Sequence, residues 1–508
     1  MNLFLCITIH TANILGIFTD PFEFKGDYGS EANSTRQKVF EKTVAKEAIA
    51  KNLTDSEIRK LLQNRNADDE EVKNYRDFLT AQAIEQDLEY GPILSELITP
   101  ALIEELYQKQ KTLQDSKFSE NDLKNILEFL KSHENEKIFY LFRHNPPELL
   151  NLDKILRDKA SSEGKKFDIP ILSSSQKLEE KNSLELKKHL LNYVFTKEIL
   201  NLTKSQESLQ NILPGDLKLL SSPAGQAFFY FAYQALNLHL ISEDPNLIKE
   251  INTVKEIFAK TLGNSEARAV NFKEKVLAAN SAVIFTQESD LFVPKALTEN
   301  GPFLPIDNQN PQDGCFIFLH SDIWEPNYEL IEINGYEKFK EGKMVVVLAT
   351  QKKTGQKFLL ASCHGHSTKP EDGRLQISLV MEKFHEFSEN TNLQLLIGID
   401  ANTKTEKDVK DLREHLDHLG LVATSMGPTT VKQRMLTVQH AKAGKIAVDE
   451  EDYLITLKPE NGGAFEFIHT TVGFKEQKAE TNDPLPNINN PSDHYPVGTT
   501  LKDARNSL

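Results

Sequence analysis

Cysteine is scarce in this chain. Cys6, Cys315 and Cys363 form an odd set with no framework spacing, which excludes a disulfide-stapled scaffold and points to reduced thiols in a cytosolic setting. No apolar run reaches the roughly 20 residues a bilayer asks for, so only peripheral membrane contact is open to it. A basic stripe is missing too. Net charge is −16 with a pI near 5.5, and a protein that holds long nucleic acid by a broad field normally shows a Lys/Arg-rich face. Processive duplex binding is therefore the class least supported. There is no internal repeat and no long low-complexity tract, while 508 residues exceed what one hydrophobic core comfortably serves. Two domains are expected.

What is present is a series of apolar runs that each end in a polar side chain. Leu393 to Ile399 reads as a buried strand, after which Asp400 and Asn402 emerge on one face. An Asx-type turn would explain that pair as well. Lys357 to Cys363 delivers His364, with Gly365 and His366 following. Cys363, His364 and His366 also suit zinc, but no second Cys/His pair stands at ligand spacing. Ala282 to Gln287 ends at Glu288, a natural ligand for a hard cation. Ser492-Asp493-His494 places a carboxylate beside an imidazole between Pro491 and Pro496, a ready acid/base pair. The first residues, Leu3 to Asn13, read as a strand that ends in an amide. A signal peptide is the competing reading, but no basic region precedes the segment and His10, Thr11 and Asn13 interrupt it.

The order of these strings, a strand ending Gln-Glu, a strand ending in His, Gly-x-Asp-x-Asn and a terminal Ser-Asp-His, resembles the endonuclease/exonuclease/phosphatase superfamily of DNase-I-like phosphoesterases. Thr11-Ala12-Asn13 with the later Asp20-Pro21 is similar to the opening of type I inositol polyphosphate 5-phosphatases. Asp313-Gly314-Cys315-Phe316-Ile317 resembles a strand of deadenylase-like members. Thr403-Lys404 and Glu451-Asp452-Tyr453-Leu454 depart from the 5-phosphatase strings, so substrate class stays open. The resemblance implies an α+β fold, a four-layer α/β/β/α sandwich of DNase-I-like type.

That sandwich is expected to be interrupted after its first strand by a large all-α insertion. Residues 1–24 supply the first strand, 25–263 the helical domain and 264–508 the remainder. The middle part is rich in Lys, Glu, Leu, Asn and Gln, with apolar residues at helical spacing. Ala224 to Leu240, carrying Phe228, Phe229, Phe231 and Tyr233, reads as its buried core.

The resemblance also implies roles. Glu288, assisted by Asn13 and Asp493, would hold Mg²⁺, with Mn²⁺ as the other candidate. Asp400 would take a proton from water or orient it, and Asn402 would bond the phosphoryl oxygens. His494, poised by Asp493 or another carboxylate, would act as base or phosphate stabiliser, and His364 would donate to the phosphate. Arg434, Lys442 and His366 are the substrate-binding candidates. The expected activity is Mg²⁺-dependent hydrolysis of a phosphorylated small molecule, phosphoinositide or short nucleic acid. The alternatives are a nuclease or deadenylase, and a scaffold that binds a protein partner through its helices and carries a vestigial catalytic part. A soluble, cytoplasmic protein is expected.

Overall fold

A computed structural model describes residues 6–14, 21–22, 24, 26–112, 118–139, 187–188, 191–192, 194–195, 200, 219–299, 301–307, 314–333, 343–388, 392–424, 427–433, 446–473, 485–487, 490 and 492–503. By its own contacts the chain divides into two units. One comprises Met1–Phe18, Lys260–Lys432 and Ala447–Leu508; the other comprises Thr19–Ala259 and Gln433–Ile446.

The first unit is built on two six-stranded sheets. Its strands are β1 (Cys6–Asn13), β2 (Ser281–Ser289), β3 (Phe303–Ile306), β4 (Gly314–His320), β5 (Glu329–Leu330), β6 (Met344–Thr350) and β7 (Lys357–His364). They continue with β8 (Leu393–Asp400), β9 (Leu421–Ala423), β10 (Thr430–Gln433), β11 (Ile446–Asp449), β12 (Asp452–Leu457), β13 (Phe465–Val472) and β14 (Val497–Asp503). One sheet runs β13-β14-β1-β2-β4-β3 and the other β5-β6-β7-β8-β12-β9, while β10 pairs with β11.

Period-2 geometry explains why the central strands β2, β4, β7 and β8 are largely apolar: both of their faces are buried. Phe285, Ile317, Leu360 and Leu396 pack in one cluster between the sheets. Ile284, Phe316 and Phe318 instead face helices Ser265–Ala278 and Phe292–Thr298. On the far side, Leu359, Ile397 and Ile399 pack against helices Pro370–Ser388 and Glu406–His418. The result is four layers, helix, sheet, sheet, helix, in an α+β unit. Each buried Phe or Leu contributes about 2–3 kcal/mol of transfer free energy. Gly398 in β8 lets the sheets approach, since a Cβ there would stand 2.4 Å from Cβ of Phe285.

In the second unit, the elements with described bounds are helices. Thr54 with Glu57, Asp68 with Glu71 and Ser119 with Asp122 form reciprocal capping boxes that start helices Asp55–Leu61, Asp69–Glu89 and Glu120–Ser132. Helix Pro223–Ser242 is buried nearly all round, Phe228, Phe229, Phe231 and Tyr233 included. Among the described residues no helix is long and apolar enough to cross a membrane.

Candidate active site

Topology brings the polar strand ends together. β1 and β2 are parallel, as are β7 and β8, so Asn13 with Glu288 and His364 with Asp400 finish on the same side of their sheets. β12 runs against β8, which sets Asp452 opposite Asp400, and β14 runs against β1, which returns Ser492 to His494 beside Asn13. Ser492 Oγ fixes that return by donating to Asn13 O (2.7 Å) and accepting from His494 N (3.1 Å).

Two of these ends carry unusual backbone. Glu288 and Asn402 have φ of 52° and 53°, the left-handed region that costs a side-chain-bearing residue of order 1 kcal/mol or more and that clusters at functional positions. At Glu288 the β2–β4 register shifts between Thr286 and Ser289, and such a bulge re-aims the side chain. Gln287, buried beside it, donates to Thr11 Oγ1 (3.2 Å), Ser362 Oγ (3.1 Å) and Gly398 O (3.3 Å), tying the two sheets at this point.

Asp400 lies at the centre. Its Oδ2 accepts from Asn13 Nδ2 (2.8 Å) and its Oδ1 from the backbone N of Asn402 (2.8 Å). Burial alone would raise its pKa, but His494, His364 and these two donors outweigh burial and hold the carboxyl below its ordinary value. The Asn402 side chain donates to Gly365 O (3.0 Å), so it braces the two loops that follow β7 and β8.

His364 Nε2 stands 3.3 Å from Glu288 Oε1 and 3.6 Å from Asp400 Oδ2, while its Nδ1 meets Lys343 Nζ at 2.7 Å. An ammonium only donates, so Nδ1 accepts and the ring proton sits on Nε2, facing the carboxylates. Burial lowers the His364 pKa despite those carboxylates, so the ring is neutral.

His494 is in the opposite state. Burial and the Lys432 ammonium work against its charged form, yet the carboxylates of Asp452, Asp493 and Asp400 prevail and lift the pKa to about 10, giving an imidazolium at neutral pH. Nδ1 is 2.8 Å from Asp452 Oδ2; Nε2 is 3.5 Å from Glu451 Oε2, 3.9 Å from Asp493 Oδ1 and 4.0 Å from Asp400 Oδ2. Asp452 is therefore the nearest carboxylate, not Asp493. Thr429 Oγ1 donates to Asp452 Oδ2 (2.7 Å) and accepts the backbone N of Glu451 (3.0 Å) and Asp452 (3.1 Å), which locks that corner. Asp493 turns to Lys432, whose Nζ lies 3.0 Å from Asp493 Oδ2, 3.6 Å from Glu451 Oε2 and 3.2 Å from His494 Nε2. Burial pushes the Glu451 pKa up to about 7, and burial likewise raises that of Asp452.

The donor set suits a hard cation. Asp452 Oδ1 and Glu451 Oε2 are buried and accept no hydrogen bond; such oxygens call for positive charge. Asp400, Asp452 and His494 bring one ligand atom each within 4.8 Å of one another. Glu288 keeps its side chain 32% exposed, so it faces the open side.

Of the residues expected from sequence, Asn13, Glu288, His364, Asp400, Asn402, Asp493 and His494 come together here. His366 does not join them: it is exposed, and its Nδ1 faces the N and Oγ1 of Thr368 (each 3.2 Å). Arg434 and Lys442 lie outside the described residues. Sequence reasoning missed the roles of Asp452, Glu451, Lys343 and Lys432. Asp452 stood in the sequence only as the start of an Asp-Tyr-Leu strand, and Lys432 only as part of the basic stretch before Arg434.

No family model matches the sequence, and a search of curated proteins finds no match. Among solved structures, the chain is similar to D. rerio TDP2 complexed with a single-strand DNA product (14% identity, TM-score 0.35, covering 46% of this chain and 90% of that one). It is also similar to ANGEL2, described as a 2′,3′-cyclic phosphatase (14% identity, TM-score 0.35, covering 46% and 84%). A third similar structure is an endonuclease/exonuclease/phosphatase family protein from Bacteroides thetaiotaomicron (17% identity, TM-score 0.33, covering 46% and 88%).

Proposed function

We propose that this protein is a metal-assisted phosphoester hydrolase of the endonuclease/exonuclease/phosphatase superfamily, using Mg²⁺ or Mn²⁺ on a phosphorylated small molecule, phosphoinositide or short nucleic acid. The observation that carries this reading is the gathering of Asn13, Glu288, His364, Asp400, Asp452 and His494 around one point from six separated stretches of chain.

Glu288 with Asn13 and Asp493 would hold the ion, which when bound supplies positive charge against the phosphoryl and leaving oxygens. Asp400 is ionised and fixed by Asn13 and Asn402, so it is placed to orient a water and accept its proton. The His494 imidazolium, aimed by Asp452, offers Nε2–H to a phosphoryl oxygen as charge develops there. His364 offers a second N–H, its tautomer set by Lys343. The buried trio of Asp400, Asp452 and His494 could serve as metal ligands instead, but Nδ1 of His494 is already committed to Asp452, which favours the proton-handling part. In-line displacement of this kind asks mainly for positioning and charge.

The test is turnover by the purified protein on inositol phosphates, phosphoinositides, poly(A) and abasic DNA, with and without Mg²⁺. Metal-dependent product is expected, and Asp400→Ala and His494→Ala should abolish it while circular dichroism stays native. Undiminished turnover in both variants would refute the reading. The panel also separates phosphatase from nuclease.

A further inference from the structure

Lys432 and Glu451 lie within the cluster yet serve as neither base, acid nor metal ligand. Lys432 belongs to β10, the strand that follows Thr429, and its side chain is 19% exposed. Its Nζ stands 3.0 Å from Asp493 Oδ2 and 3.6 Å from Glu451 Oε2. Glu451 is buried, and because Oε2 accepts no hydrogen bond, what stabilises that oxygen is positive charge nearby.

His494 Nε2 lies 3.2 Å from the same ammonium. Two cations at that separation repel each other. Glu451 and Asp493 hold them in place, each with an oxygen no more than 3.9 Å from either nitrogen. Burial works against the ammonium, but Asp493, Glu451 and Asp400 outweigh it and hold the Lys432 pKa above its ordinary value. Carboxylate oxygens that converge from separate loops, one before β12 and one before β14, are the ligands a hard divalent ion takes. Here a side chain already fills that position.

We propose that Lys432 is the resident cation of a second cation site: its ammonium takes the place, between Glu451 and Asp493, that a divalent ion would otherwise fill, so the reaction centre works with a single bound metal. Lys432 engages Oδ2 of Asp493, which leaves Oδ1 for the ion that Glu288 and Asn13 would share. The single-metal stoichiometry rests on the hydrolase reading, but the cation site does not.

Counting Mn²⁺ bound to the full chain, by electron paramagnetic resonance of the free ion, tests this. Wild type should bind one ion. Lys432→Ala leaves two buried carboxylates uncompensated and opens the space beside them, so it should bind one ion more than wild type. Lys432→Gln, neutral and nearly the size of lysine, gives the same count should the smaller side chain unfold the site. Lys432→Arg keeps a cation there and should keep the wild-type count. Glu451→Gln added to Lys432→Ala should lose the extra ion, which locates it. Two ions on wild type, or no gain in a Lys432→Ala or Lys432→Gln protein of native circular dichroism, overturns the proposal. An extra ion that survives Glu451→Gln overturns it as well. Undiminished turnover in Asp400→Ala, or no Mn²⁺ on wild type, would end the hydrolase reading, while the gain in Lys432→Ala still decided the cation site.

Discussion

His494 Nδ1 and Asp452 Oδ2 lie 2.8 Å apart, both buried, with Thr429 Oγ1 holding the same carboxylate oxygen. The pair fixes the imidazole's orientation and its charge together.

Asp452→Asn keeps the shape and removes the counter-charge. The imidazole then loses its largest favourable partner, and kcat is expected to fall by about 10²–10⁴-fold, the range for a displaced acid/base group. Proton NMR of the His494 ring should show its pKa well below the wild-type value near 10. A ring still charged at neutral pH in the variant would refute this role for Asp452.

Metal should be felt by stability as well as turnover. Glu288 and Asp400 both approach His364 from the site's carboxylate side, and an ion bound there favours the folded state, so Mg²⁺ should raise the thermal midpoint by mass action. Glu288→Ala should lose that shift. If the shift persists in Glu288→Ala, that residue is not a ligand.

A pH dependence comes from His10, three residues before Asn13 on β1. Burial drops its pKa to about 4, with Ser281 Oγ 2.7 Å from Nδ1. The unfolded chain takes up the proton near the ordinary value of about 6.5, so between these two values the unfolded state binds more protons and stability falls as pH falls. The full loss is about 3 kcal/mol. Urea midpoints measured from pH 7 to pH 4 should drop accordingly, and less so in His10→Gln.

Gly398→Ala should destabilise the sandwich by about 1–3 kcal/mol, the range for overpacking, because the new methyl would meet Phe285 across the sheets. Denaturant unfolding of the variant against wild type gives the number. A neutral result would mean that the sheets separate there at little cost.

The strands were legible where both faces are buried. Ala282 to Phe285, Phe358 to Ala361 and Leu395 to Ile399 are the apolar centres of three segments, and the structure places β2, β7 and β8 over them. The polar residue that ends each run was legible for the same reason: apolar packing stops, and the side chain must have another use. What stayed hidden depends on pairing between distant residues. Asp452 is 42 positions from His494, and nothing local distinguishes it from an ordinary strand start. Lys343 precedes an apolar run as many surface lysines do, and only the β6–β7 pairing sets it opposite His364. The bulge at Glu288 left no trace either, since Thr-Gln-Glu-Ser suits a regular strand equally well. His366 stands two residues from His364 but on the exposed turn through Thr368, apart from the buried cluster.

The bond from Ser492 to Asn13 joins residues 479 positions apart. Until the segment bearing Ser492 and His494 has been made, Asn13 lacks the hydroxyl that holds its backbone and Asp452 lacks its imidazole partner. Under the proposed reading a chain cut before that segment would therefore be inactive.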